Sequence, residues 1–201
     1  MTIAERGRNA LKCTLMAAIV SSGSLAYAEA AGKSAAPKST AGFAVPKEQP
    51  VQAELITEHA SIQPGGETKV GVYFEIEEGW HIYYKDPGDA GLPTKVTWKA
   101  PPAVSFGPLT WPKAQQFLDP GNIKTFGYTD AVILYSPISF TPLVDLDRTH
   151  KEPDLLLRAD VEWLACKEIC VPGSATLTLS LPVRSAPAAL SPHAQLFAQT
   201  N

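Results

Sequence analysis

The sequence has little of what most catalytic sites are built from. It holds 3 cysteines, 4 histidines and 2 methionines in 201 residues. There is no Gly-x-Ser-x-Gly elbow, no glycine loop of the phosphate-binding kind and no histidine cluster at metal-ligand spacing. The local signatures of esterases, nucleotide binders and zinc hydrolases are therefore missing. No internal repeat is present, and no run beyond the N-terminus approaches the roughly 20 apolar residues of a membrane helix. The 18 prolines are spread through the chain, and no window before Ser185 carries a helical apolar stripe. That combination argues against a helical domain.

The N-terminus reads as an export signal. Arg6, Arg8 and Lys12 supply a basic region, residues 11–20 are mostly apolar, and Ala26-Tyr27-Ala28 is a small-x-small cleavage site before Glu29. This predicts a cleaved signal peptide over residues 1–28, too short in its apolar part to anchor the chain. Cys13 goes with it, so the mature chain keeps Cys166 and Cys170 alone. Such a signal suits a bacterial periplasm, where thiols are oxidised under kinetic control. Cleavage takes basic residues from 17 to 14 and acidic ones from 20 to 19, moving the net charge from −3 to −5. With no basic stripe left, nucleic acid and anionic membrane are poor partners.

Residues 29–50 are rich in Ala, Lys, Ser and Pro and are expected to be a disordered, flexible lead-in. From 51 to 183, short β-branched and aromatic runs alternate with Pro, Gly and Asp clusters. Strands are expected over 51–58, 68–76, 80–84, 94–98, 131–140, 155–165 and 175–183. Val70, Val72, Phe74 and Ile76 alternate with polar or small residues, as in a strand with one buried face. Some seven strands in this length predict an all-β fold, one immunoglobulin-like β-sandwich with an adequate core of its own. A short C-terminal tail, 184–201, holds a linker and then a short helix opened by a serine cap.

Cys166 and Cys170 are separated by Lys167, Glu168 and Ile169. A bridge between them closes a ring so small that the chain-entropy model gives it about 2 kcal/mol. A staple would join distant segments, and a core of this size does not need one, so the pair looks placed for redox chemistry. A strand enters at the first cysteine and another leaves after the second, which puts the pair at a hairpin end, facing across a tight turn. Pro172 and Gly173 oppose the helical alternative. Lys167 would lower a neighbouring thiol pKa and Glu168 would raise it, so the two oppose each other. The plain alternative is a structural hairpin clip.

The other dense segment is residues 79–93, an aromatic strand followed by a loop with two glycines and two prolines. Trp80 is expected in the core, since large aromatics usually pack. His81 could be a base, a ligand or, most commonly for such a residue, a surface side chain. Aromatics beside a dithiol would exclude water from it.

Residues 79–93, the Leu109-Thr110-Trp111-Pro112 run, Phe126-Gly127-Tyr128, and the Trp163-to-Pro172 segment, in this order, resemble the N-terminal periplasmic domain of the DsbD/ScsB thiol:disulfide interchange proteins. The Pro-Gly-Asp and Gly-Leu-Pro elements bring the chain nearer the ScsB-like branch. The resemblance implies an immunoglobulin-like domain whose cysteine pair takes electrons from a thioredoxin-like protein or a membrane electron-transfer protein. It passes them to oxidised periplasmic clients. By the same resemblance Cys166 and Cys170 are the exchanging pair, Tyr83 and His81 flank it, and Phe126 lies near a loop that caps it. Lys167 and Glu168 are its immediate surroundings. The spacer between the cysteines is shorter than in the DsbD branch, and Ile123-Lys124-Thr125 has no match to the acidic residues before its cap phenylalanine. The chain also lacks the transmembrane carrier and thioredoxin-like segments of the full-length proteins, as expected of a free-standing module or one part of a split system.

Thiol–disulfide exchange requires a thiolate and an accessible sulfur, with no cofactor and no metal. Two rival classes use the same cysteines. Soft thiolates four residues apart suit Cu(I), with His81 as a third ligand, and a binding sandwich could carry the bridge for structure alone.

Overall fold

The computed structural model describes residues 49–119, 121–142 and 154–198. The expected signal peptide, Cys13 and nearly all of the expected lead-in lie outside these residues.

Ten strands and one short helix follow in chain order. They are β1 (Val51–Thr57), β2 (Glu67–Ile76), β3 (His81–Gly88), β4 (Lys95–Lys99), β5 (Val104–Phe106), β6 (Gln115–Asp119), β7 (Ile123–Tyr128), β8 (Ala131–Phe140), β9 (Asp154–Cys166), β10 (Cys170–Pro182) and α1 (Ala194–Ala198). One sheet runs β1-β2-β8-β5; the other runs β10-β9-β3-β7-β6, with β4 also paired to β9. All the pairings between these strands are antiparallel. The result is the expected immunoglobulin-like β-sandwich.

Alternation builds the core. Val70, Val72 and Phe74 of β2 are fully buried, and Leu157, Val161 and Trp163 of β9 face them from the other sheet with at most 4% of their surface exposed. The Phe74 and Trp163 rings meet edge to face at 5.7 Å. Between these inward positions on β9, Leu156, Arg158 and Glu162 point to solvent. Asp160 accepts hydrogen bonds from Lys99, Arg158 and Thr176, tying β4, β9 and β10 together on that outer face. Those bonds hold its carboxyl well below the usual carboxylate range.

Two stretches differ from the expected strands. β5, β6 and β7 were not signalled, because β5 spans three residues and β6 is mostly polar. The β6–β7 turn holds Gly121 and Asn122 at positive φ, 92° and 62°. β10 begins at Cys170, not at 175, and passes straight through Pro172 and Gly173. It can do so because β10 is the sheet's edge, where proline's missing N–H disrupts no ladder. Gly173 also makes room for Trp163, since a Cβ there would lie 2.3 Å from the indole Cε2.

After β10 the chain returns to the first sheet. His59 and Leu190 form a bridge, the Ser191 hydroxyl donates to the Thr57 carbonyl, and Ser191 Oγ accepts the His193 N–H at 3.1 Å. Phe197 of α1, 2% exposed, packs on Ile56 and Ile133, on the face of that sheet away from the core. Burying that ring contributes about 2–3 kcal/mol.

Candidate functional site: the disulfide at the β9–β10 hairpin

β9 ends at Cys166 and β10 starts at Cys170, and the two are register partners. Directly opposed residues of an antiparallel pair put their side chains on one face, and here the two sulfurs are bonded, with the Cα atoms 4.1 Å apart. Lys167, Glu168 and Ile169 make the turn, which is closed by a 3.0 Å hydrogen bond from Lys167 N to Ile169 O. The two cysteines differ in access: Cys166 is 3% exposed, while Cys170 lies open to solvent.

That burial needs explaining, because Cys166 has the parity of the outward-facing residues of β9. The cover comes from β3. His81 is the register partner of Cys166 across the β3–β9 ladder, and Tyr83 follows two positions on, on the same face. His81 is buried, not on the surface as is usual for a lone histidine. Its ring stacks on Phe117 at 4.7 Å and meets Tyr83 edge to face at 5.1 Å. Phe117 belongs to β6, two strands away from β3. Gly127 of β7 lies between them in the sheet and lets the β3 backbone come close, since a Cβ there would sit 2.0 Å from Ile82 O.

The loop after β3 completes the cover. The β3–β7 pairing is interrupted between Tyr83 and Gly88, and the chain then folds back over Tyr83. Gly88 and Gly91 adopt φ of 87° and 97°. A Cβ on Gly91 would fall 2.3 Å from the Tyr83 ring, so glycine alone permits the approach. Thr94 Oγ1 donates to Tyr83 O at 2.7 Å and pins the loop's far end. Asp89 exchanges hydrogen bonds with the Lys124 backbone at 2.8 and 2.9 Å.

The remaining expected residues are placed as follows. Phe126 lies in β7, half-buried, opposite Gln116 and against Gly88, so it borders the base of that loop. Trp80 is partly buried against the core. The Lys167 chain lies over Gly79, and its ammonium donates to Glu78 O at 3.3 Å, while Glu168 is exposed. Behind the interruption in β3, Tyr84 packs edge to face on Trp111 at 5.5 Å, and the Tyr128 hydroxyl donates to Pro112 O at 2.8 Å. Burial, and then Tyr84, push the Tyr128 hydroxyl pKa up, so it stays protonated. The Trp111-Pro112 and Phe126-Gly127-Tyr128 motifs thus brace the strand that carries His81 and Tyr83.

Phe117 is the site residue with no sequence signal, since it stands in a polar strand between Gln116 and Leu118. Among the described residues, no three His, Cys, Asp or Glu side chains gather into a group able to hold a metal ion.

A β-sandwich with a short-range disulfide at a hairpin tip, one cysteine covered and one open, defines a class of redox-competent scaffold. The family model for the N-terminal domain of the thiol:disulfide interchange protein DsbD matches residues 47–182, and the chain belongs to that family. Among solved structures, the chain is similar to the N-terminal periplasmic domain of ScsB from Proteus mirabilis. There the identity is 19% and the TM-score 0.53, over 80% of this chain and 58% of that one. This chain therefore spans less than two thirds of that domain. The reduced N-terminal domain of Neisseria meningitidis DsbD also matches, at 15% identity and TM-score 0.40 over 73% of this chain and 94% of that one. No curated protein sequence matches the chain.

Proposed function

We propose that the Cys166–Cys170 pair relays electrons in an exported, periplasmic setting, from a reduced thioredoxin-like donor to oxidised client proteins. The observation that carries this reading is the asymmetry of the pair: Cys170 is open and Cys166 is 3% exposed. An attacking thiolate has access to Cys170, while Cys166 is held beside it as the leaving group and later as the resolving thiol.

The steps balance as two exchanges. The donor thiolate attacks the Cys170 sulfur, forming a donor–Cys170 mixed disulfide and releasing Cys166 as thiolate. The donor's second thiolate then attacks its own bonded sulfur, so the donor leaves oxidised and Cys170 leaves reduced. In the second exchange, the Cys170 thiolate attacks a client disulfide and frees one client thiolate. Cys166 attacks the Cys170 sulfur, restores the bridge and frees the second client thiolate. Two electrons pass, and the thiol protons given up by the donor end on the client through solvent. No other side chain is required to bond covalently, so His81, Tyr83 and Phe117 act by shielding Cys166 from water and stray oxidants.

Mixing the oxidised protein with a reduced thioredoxin-like protein tests this reading. Transfer of reducing equivalents, read as free thiols on Cys166 and Cys170 after acid quench and alkylation, supports it. A bridge left intact by every such donor contradicts it.

A further inference from the structure

Cys166 carries negative charge twice in the exchange cycle, as leaving group when the bridge opens and as nucleophile when it closes. Its burial works against both steps. An ordinary thiol, with a pKa of about 8.5, is only a few per cent thiolate at neutral pH. Each unit by which burial raises that value cuts the thiolate about tenfold further. Cys170, open to solvent, trades its proton with water and escapes this cost.

His81 is placed to answer it. It is the register partner of Cys166 in the antiparallel β3–β9 ladder, and directly opposed residues share a sheet face with Cβ atoms about 4.5–5.5 Å apart. From there an imidazole nitrogen can reach the neighbouring sulfur. The ring is held as well as near: it is 9% exposed, stacked on Phe117 at 4.7 Å and edge-on to Tyr83 at 5.1 Å. A third aromatic ring would serve cover alone; an imidazole adds a group that ordinarily titrates at about 6.5. The other elements around it bring less suitable groups. Tyr83 of β3 offers a phenol, which ordinarily keeps its proton to about pH 10. β7 brings Gly127 and the buried Thr125, β6 brings Phe117 and ends at Asp119, and β10 brings Cys170. Lys167 is turned to Glu78 O, and Asp89 to the Lys124 backbone.

We infer that His81 is the proton donor and acceptor of Cys166. The inference rests on the redox reading and supplies its acid–base step. When the donor thiolate attacks Cys170, the Cys166–Cys170 bond breaks and Cys166 keeps the bonding electron pair. The imidazolium then passes its proton to that sulfur. When the bridge closes, the imidazole takes the proton back, the Cys166 sulfur attacks the Cys170 sulfur of the client mixed disulfide, and the client thiolate leaves. His81 ends the cycle as it began, and all other protons move through solvent.

The first test needs no substitution. In the dithiothreitol-reduced protein, the His81 ring and Cys166 Cβ carbon resonances should titrate over the same pH steps, as coupled sites do. Closing the bridge should displace the His81 midpoint. His81→Phe keeps a ring against Phe117 and removes the titrating nitrogens, and His81→Gln removes them with a smaller side chain. In a Cys170→Ser background, either should raise the Cys166 thiol pKa by about one to two units, read by thiolate absorbance. With both cysteines present, closure of a Cys170–glutathione mixed disulfide at neutral pH should slow about tenfold, and the gap should narrow in alkali. A role in cover alone would leave that pH profile unmoved by His81→Phe. Independent titration of His81 and Cys166, or an unchanged closure rate in both variants, overturns the proton role while the redox reading stands. A bridge that neither dithiothreitol nor a reduced thioredoxin-like protein opens overturns both.

Discussion

His81 faces Cys166 across the ladder between β3 and β9, so the buried sulfur of the pair has an imidazole as its strand neighbour. Phe117 holds that imidazole from the far side of β7. Phe117→Ala should cost about 1–3 kcal/mol of stability, a discount on a fully buried ring because Phe117 is only half-buried. It should also speed reduction of the bridge by a small thiol, since the cover over His81 and Cys166 thins. Denaturant melts and dithiothreitol kinetics check the two effects separately.

The pair's asymmetry predicts which variant captures partners. Cys166→Ser leaves the open Cys170 without a resolving thiol, so mixed disulfides formed through it persist. Cys170→Ser leaves only the covered Cys166 and should capture several-fold less of an oxidised thioredoxin-like protein, whose disulfide the remaining thiolate attacks. Non-reducing gels of the two variants read the difference; equal capture would place the attack elsewhere.

The bridge closes a very short ring, so opening it should cost the fold about 2 kcal/mol. For a domain of this size that lowers Tm by roughly 4–8 °C. The reduced protein should therefore keep its near-ultraviolet circular dichroism at 25 °C. Loss of tertiary signal on reduction would make the bridge a structural clip.

Gly91 and Gly173 are tight in different places, which makes them useful controls. Gly91→Ala sets a Cβ against the Tyr83 ring at positive φ, and Gly173→Val forces the edge strand off the Trp163 indole. Each should lose about 1–3 kcal/mol. Only the first disturbs the loop that covers Tyr83, so only it should alter dithiothreitol kinetics.

Asp160 gives a pH dependence with a definite sign. Hydrogen bonds from Lys99, Arg158 and Thr176 lower its folded pKa below the unfolded one. Its contribution is complete above the ordinary carboxylate pKa of about 4 and fades as pH falls through the folded value. Asp160→Asn should flatten the acid limb of a stability–pH curve and leave neutral-pH exchange kinetics unchanged.

Most of the scaffold was legible because period-2 patterns survive wherever a strand buries one face, as in Val70, Val72 and Phe74. The hairpin placement of the cysteines was legible too, from the strands on either side and from Pro172 and Gly173. What escaped was set by tertiary context. Phe117 reaches His81 because β6 and β3 lie in one sheet with β7 between them, and no local pattern carries that. His81 looked like a surface residue because its ring is covered by Phe117, which comes from a strand far along the chain, and by Tyr83. Pro172 and Gly173 looked like a strand break, and they are tolerated only because β10 is an edge.

The most direct measurement is the reduction potential of the Cys166–Cys170 couple, from equilibration in defined glutathione or dithiothreitol buffers. A reversible two-electron transition between about −180 and −270 mV, in the range of thioredoxin-like donors, is the predicted result. A value below about −300 mV, where structural disulfides lie, would contradict the relay.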